Sequence, residues 1–313
     1  MRILILGAGG TGGYFGGRLA QAGVDVTFLV RPGRAAQLQA NGLQIRSPLG
    51  DADLPVQYVT AEALPALAAE RPFDLVILSC KAYDLLDSME AIAPAVGENT
   101  SVLPILNGLG HYPILDERFG AAKVLGGLCF ISATKGENGE IVQMGMNVPP
   151  SITFGEREGD AHSARVQAFA ADLEKAGIVH VASEQIAMDQ WIKYTFLCAL
   201  AAATCMMRAP IGAIVATDDG RALINGLYNE CLLAANADGQ KIPLEAREKA
   251  LLSLLQPESK LKASMLRDLE NGQQVEAHQI VGDMLERIRE TGRNAPLLMA
   301  ANVHLQAYQL QRG

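Results

Sequence analysis

The spacing of apolar and polar positions changes character near residue 182. Before it, short apolar runs alternate with stretches whose apolar residues recur every three or four positions. Residues 2–6, 24–30, 73–80, 101–106, 124–133 and 178–182 read as strands. Strands separated by helical crossovers pair in parallel, which predicts a doubly wound sheet. Residues 140–144 and 151–154, separated by Pro149 and Pro150, are expected to form two antiparallel strands extending one edge of that sheet. From Ser183 onward strands give way to helical periodicity over 184–207, 218–238, 244–255, 259–270, 273–290 and 295–309. Ser183 with Gln185, Ser259 with Leu261 and Lys262, and Pro296 mark helix starts.

The first strand runs into Gly7-Ala8-Gly9-Gly10-Thr11-Gly12, a G-x-G-x-x-G turn followed by a helical pattern from Tyr14. In a dinucleotide-binding βαβ unit the first glycine makes the tight turn and the second lets backbone approach a pyrophosphate. The third lets the helix pack close to the strand. The free N–H groups and positive dipole end of that helix then hold the phosphates. The expected fold class is therefore α/β, an N-terminal Rossmann doubly wound sheet over 1–182 with a C-terminal all-helical domain over 183–313.

Composition narrows the partners. A formal net charge of −8 argues against nucleic acid or an anionic membrane as the main partner. The longest apolar stretch, 195–207, is too short to span a bilayer, and the apolar N-terminal run is broken by glycines too early for a signal peptide. The five cysteines, Cys80, Cys129, Cys198, Cys205 and Cys231, form no C-x-x-C pair and read as thiols of a reducing compartment, so the cytoplasm is expected. The five histidines are dispersed without metal-ligand spacing, so no metal is expected, and no G-x-S-x-G elbow occurs.

The residue at the end of the second strand selects the dinucleotide. NAD-specific folds place an acid there for the ribose 2′-OH. This chain has Arg31, with Arg34 following, which favours a 2′-phosphate and hence NADP.

These elements resemble one family. Gly7-x-Gly9-x-x-Gly12-Gly13-Tyr14-Phe15-Gly16, Phe28-Leu29-Val30-Arg31, Leu78-Ser79-Cys80-Lys81-Ala82-Tyr83-Asp84, Leu106-Asn107-Gly108-Leu109-Gly110 and Trp191-Ile192-Lys193-Tyr194 occur in the order seen in ketopantoate reductases (2-dehydropantoate 2-reductases). The later spacing of Ser264-Met265, Asp268, Glu276, Ile280 and Gly282 extends the resemblance over almost the whole chain. It implies NADPH-dependent reduction of a 2-oxo acid to its 2-hydroxy acid, in the family the step from 2-dehydropantoate to pantoate in pantothenate biosynthesis. By the same resemblance Lys81 joins Arg31 at the 2′-phosphate, and the backbone at Ala133 touches the cofactor. Asn107 lies near nicotinamide and substrate, Ser264 binds substrate, Lys193 is the general acid, and Glu276 orients the cofactor ribose and the lysine.

Residue chemistry supports the lysine independently. Hydride delivery to a ketone leaves negative charge on oxygen, which an ammonium both stabilises and protonates. Lys193 stands in an otherwise apolar stretch, where desolvation is expected to lower its pKa toward the working pH. Glu276, singled out by the resemblance and on residue type alone no better placed than Glu270, would fix that ammonium electrostatically.

The chain departs from the family where substrate contacts are expected. Four and eight residues after the lysine the family has asparagines that hold the polar end of ketopantoate, and here those positions are Leu197 and Ala201. His278 replaces an acid, and Pro296-Leu297-Leu298 lacks an asparagine. Two lost contacts of roughly 1–3 kcal/mol each would cost about 10- to 10⁴-fold in efficiency. A preferred 2-oxo acid or other carbonyl compound with a more apolar tail would follow, unless Thr204 or His278 supplies the missing hydrogen bonds. A non-catalytic NADP-sensing regulator and a β-hydroxyacid or opine-type dehydrogenase are the alternatives. The apolar helical domain would suit a homodimer or, equally, burial against its own sheet domain.

Overall fold

The computed structural model describes residues 1–145 and 148–312. The chain divides into two compact units, Met1–Leu106 with His111–Ile186, and Asn107–Gly110 with Ala187–Gly313. The expected division at 182/183 thus lies four residues from the observed one, and Asn107–Gly110 groups with the second unit although the first surrounds it in sequence.

Twelve strands occur among the described residues of the first unit: β1 (Arg2–Leu6), β2 (Asp25–Leu29), β3 (Leu43–Arg46), β4 (Ala52–Leu54), β5 (Gln57–Val59), β6 (Leu75–Leu78), β7 (Ser101–Pro104), β8 (Gly126–Phe130), β9 (Ala133–Lys135), β10 (Ile141–Gln143), β11 (Ser151–Gly155) and β12 (Val179–Ala182). The main sheet runs β5-β2-β1-β6-β7, and every pairing in it is parallel. Its central strands are buried on both faces, as the continuous runs Ile3-Leu4-Ile5 and Leu75-Val76-Ile77-Leu78 require. Leu6 pairs with both Leu29 and Leu78, which brings the carboxyl ends of β1, β2 and β6 to one edge.

Two smaller sheets correct the sequence expectation for residues 140–154. β10 joins a four-stranded sheet of order β4-β3-β10-β9, whereas β11 joins β12-β11-β8, so the two segments neither pair with each other nor extend the main sheet. Residues 124–133 likewise split between β8 and the following strand β9.

The helix Gly10–Gln21 explains how these sheets are held together. Gly12 and Gly16, four residues apart, face β1 and β2, and a Cβ at Gly16 would come within 2.7 Å of the Phe28 ring. Gly13 and Gly17 face the smaller sheet, where a Cβ would lie 2.9 Å from Ile141 and 2.8 Å from Leu43. Two stripes of missing side chains thus let one helix lie close against two sheets.

The second unit is helical: Ile186–Met207, Ile211–Val215, Gly220–Ala237, Leu244–Leu254, Ser264–Glu270, Asp283–Glu290 and Pro296–Arg312, with a π-helical turn at His278–Gly282. Pro296 starts the last helix as expected, and Ser183 Oγ accepts from the Gln185 N–H at 3.0 Å. Ser259 caps only a turn, accepting from the Leu261 N–H at 3.2 Å, and the helix expected there begins five residues later at Ser264. Trp191, Tyr194, Tyr228 and Leu298 anchor the core of this unit.

Candidate active site

In the first unit the carboxyl edge of the parallel sheet gathers the cofactor candidates. Gly7 leaves β1 at φ +85°, a left-handed conformation that favours glycine, and its N–H donates to the Leu29 carbonyl at 2.8 Å. A Cβ at Gly9 would meet nothing within 4 Å, whereas one at Gly12 would lie 2.7 Å from the Gly7 carbonyl oxygen. The helix beginning at Gly10 has no side-chain cap and no acidic residue in its first turn. The turn therefore presents backbone donors, positive dipole and open space together, a donor set that fits a pyrophosphate. Ala8 is buried and Thr11 half-buried beside it. Ala133 bears directly on this helix start, since a Cβ at Gly10 would lie 2.6 Å from its carbonyl oxygen.

Arg31 follows β2, exposed, and stands at the N-cap of the helix Pro32–Asn41. Arg34 donates through Nη1 to Gln37 Oε1 at 3.1 Å, while its Nε and Nη2 are buried without a partner, a deficit that an anion would relieve. Lys81 is half-buried at the start of a short 3₁₀ turn after β6, preceded by Ser79, whose hydroxyl donates to the Leu6 carbonyl at 3.0 Å.

The second unit holds the acid candidate. Lys193, only 9% exposed, donates from Nζ to Asn107 Oδ1 at 3.1 Å. A buried ammonium needs acceptors in place of water, and the asparagine oxygen is one. Two residues read separately in the sequence, 86 positions apart, are thereby one construction. Glu276 is buried in the same unit, its carbonyl accepting from the Ile280 N–H at 3.1 Å. Ser264 is half-buried as the first residue of its helix.

The face carrying Lys193 differs from its sequence description. Leu197 is half-buried, but Ala201 and Thr204 are fully enclosed in the helical unit's core. Thr204 donates to the Leu200 carbonyl at 2.7 Å and its oxygen accepts from the Ala263 N–H at 3.4 Å. Its hydroxyl is thus paired inside the core of the helical unit. His278 is exposed, with Nδ1 4.0 Å from the Glu286 carboxylate.

The second unit also holds contacts that the sequence does not reveal, and Asp238, Asp283 and Arg287 take part in them. Gly108 has φ +79°, and a Cβ there would lie 2.5 Å from the Gln279 carbonyl oxygen. Tyr194 reaches Asp283, Arg287 Nε donates to Asp283 Oδ2 at 2.9 Å, and Trp191 Nε1 donates to Asp238 Oδ2 at 2.7 Å. In sequence the Asn107-Gly108 pair signals only a turn, and no local pattern marks the partners of Trp191, Tyr194 or Asp283.

The family model described as ketopantoate reductase PanE/ApbA matches residues 3–159, and its C-terminal counterpart matches residues 185–309. The chain belongs to the ketopantoate reductase family. It is accordingly an oxidoreductase, and its α/β fold with a helical C-terminal part is the one that ketopantoate reductases share. It is 34% identical over 312 residues to the uncharacterized oxidoreductase YkpB of Bacillus subtilis, covering 100% of both chains. A 2-dehydropantoate 2-reductase of Mesorhizobium japonicum is 27% identical, over 100% of this chain and 99% of its own. The crystal structure of 2-dehydropantoate 2-reductase from Geobacter metallireducens superposes with a TM-score of 0.87 at 29% identity, covering 98% of this chain and 99% of that one. Among the described residues no helix is long and apolar enough to cross a membrane, and no His/Cys/Asp/Glu cluster could hold a metal ion.

Proposed function

We propose that this member of the family reduces a 2-oxo acid to the 2-hydroxy acid with NADPH, and that Lys193 delivers the proton. The observation that carries this reading is the buried Lys193 ammonium fixed on Asn107 Oδ1 at 3.1 Å. The reduced nicotinamide, when bound, supplies the hydride. As negative charge develops on the carbonyl oxygen, the Lys193 ammonium stabilises it and transfers one proton from Nζ, and the neutral amine is reprotonated from water. Asn107 limits the rotation of the ammonium beforehand, so little reorganisation accompanies transfer. Glu276 balances the cationic charge within the same unit.

The Gly7–Gly12 turn would hold the pyrophosphate and Ala133 would contribute backbone, with Arg31 and Lys81 at the 2′-phosphate. Arg34, with two buried donors unpaired, adds cationic character near that group. Ser264 and Asn107 would contact the substrate. The chain's substrate is 2-dehydropantoate or a 2-oxo acid with a more apolar tail. Leu197 supports the apolar reading because a half-buried leucine cannot pair a substrate hydroxyl.

A panel of 2-oxo acids, read as NADPH and NADH oxidation at fixed pH, tests both levels. We expect NADPH to exceed NADH in kcat/KM and branched or aromatic 2-oxo acids to exceed ketopantoate. Preference for ketopantoate would remove the apolar-tail reading, and preference for NADH would remove the 2′-phosphate reading. Lys193→Ala is expected to lose about 10²- to 10⁴-fold in kcat while still binding NADPH. Near-normal turnover would remove Lys193 from the acid role.

A further inference from the structure

The turn His278–Gly282 is π-helical, with the Asp283 N–H reaching back five residues to the His278 carbonyl, before the chain resumes an α-helix at Asp283. Such a turn inserts a residue and shifts the α-helical register. Its carbonyls meet two other parts of the second unit. Gln279 O faces Gly108, whose missing Cβ and φ of +79° allow a close approach that no other residue would. Ile280 O accepts from the Tyr194 hydroxyl at 2.8 Å and weakly from Cys198 Sγ at 3.6 Å. The same hydroxyl lies 2.8 Å from Asp283 Oδ2, so its single proton is shared between two acceptors. Asp283 also accepts from Arg287 Nε, and its Oδ1 would be 3.2 Å from a Cβ at Gly110.

These contacts form a closed loop. Tyr194 follows Lys193 in the same helix, its hydroxyl ties that helix to the π-turn, the π-turn seats Gly108, and Asn107, next to Gly108, accepts from Lys193. We propose that Tyr194 is a positioning residue: by holding the Ile280 carbonyl and Asp283 together it fixes the seat of Gly108, and through Asn107 the place of the Lys193 ammonium. This rests on the reading of Lys193 as proton donor. Burial and the adjacent Asp283 push the Tyr194 phenol well above its ordinary pKa, so it stays a donor across the working range.

The test is a double-mutant cycle of Tyr194→Phe and Asn107→Ala, with steady-state kinetics against the best 2-oxo acid and NADPH binding by fluorescence titration. A misplaced proton donor loses an interaction made in the transition state, so kcat and kcat/KM fall together while KM stays put. We expect Tyr194→Phe to lower kcat about 10- to 100-fold, with KM for the 2-oxo acid and NADPH affinity within about twofold. The double variant should be no slower than Asn107→Ala alone, because both act through one contact. Additive losses in the cycle, or a rise in KM with kcat kept, overturn the proposal. If Tyr194→Phe does not fold, Gly108→Ala disturbs the same seat from the other side and should show the same split. A kcat unchanged in Gly108→Ala overturns the proposal as well. Lys193→Ala separates the two levels: turnover kept there defeats the proton-donor reading, whereas turnover lost there and kept in Tyr194→Phe defeats only the positioning role.

Discussion

The glycine turn makes two predictions that pull apart under one kind of substitution. In Gly12→Ala the new Cβ would crowd the Ser79 hydroxyl and stand 2.7 Å from the Gly7 carbonyl oxygen and 3.2 Å from Ile5 Cγ2, and the Gly7 oxygen is backbone that cannot rotate away. Restoring ordinary contact requires the helix start to move by about 0.7 Å. Overpacking against backbone that cannot yield falls at the upper end of the usual range, about 2–3 kcal/mol, partly offset by about 1 kcal/mol from alanine's better helix propensity. A net loss of about 1–2 kcal/mol should lower the melting temperature of a unit this size by about 2–8 °C. In Gly9→Ala the Cβ meets nothing, and the backbone is extended at φ −91°, so stability should change by less than about 0.5 kcal/mol. The space it takes is the space a pyrophosphate needs. NADPH affinity should therefore fall at least about tenfold, equivalent to about 1.4 kcal/mol. Thermal unfolding and NADPH titration of the two variants decide the matter. A Gly9→Ala protein that binds NADPH like the parent would refute the phosphate cradle, and a Gly12→Ala protein that melts with the parent would refute the close-packing argument.

Other expectations concern single contacts. Thr204→Val should leave the Ala263 N–H buried without its hydroxyl acceptor and lower stability by about 1–3 kcal/mol, with KM for the 2-oxo acid unchanged; a raised KM would return Thr204 to the substrate site. Glu156 accepts from Arg165 Nε at 2.6 Å and from Ser163 Oγ at 2.6 Å, and the arginine holds its carboxyl below the usual value of 4.5. A depressed pKa contributes stability above the unfolded value that is lost as pH falls through the folded one. Arg165→Met should thus be less stable than the parent at pH 7, and the gap should narrow as pH falls below about 4.5; a constant gap from pH 7 to pH 3 would contradict this.

The fold was legible wherever burial made the pattern strong. Ile3-Leu4-Ile5 and Leu75-Val76-Ile77-Leu78 are continuous apolar runs because parallel strands are covered on both faces. The four-stranded sheet was not legible, since β3, β4 and β9 have three or four residues each, partly exposed, and no run long enough to show a period. For β10 and β11, proximity in sequence implied pairing, but Pro149 and Pro150 intervene and each strand pairs with a distant partner. The helix bearing Lys193 hid its orientation for a different reason. It is apolar around most of its circumference, so spacing alone could not tell that Ala201 and Thr204 belong to the interior. Lys193 and Asn107 were each singled out, but their contact joins residues 86 positions apart and leaves no periodic trace.

The placement of Asn107–Gly110 with the second unit bears on recombination between relatives. A chimera with one breakpoint at 186/187 would graft a foreign helical half onto a tetrapeptide from the other parent. Gly108 would then meet an unmatched carbonyl and Lys193 an unmatched amide. Exchanging the tetrapeptide together with residues 187–313 keeps that interlock of one parentage. Substrate preference in this family should therefore transfer as two separated inserts more readily than as one terminal swap.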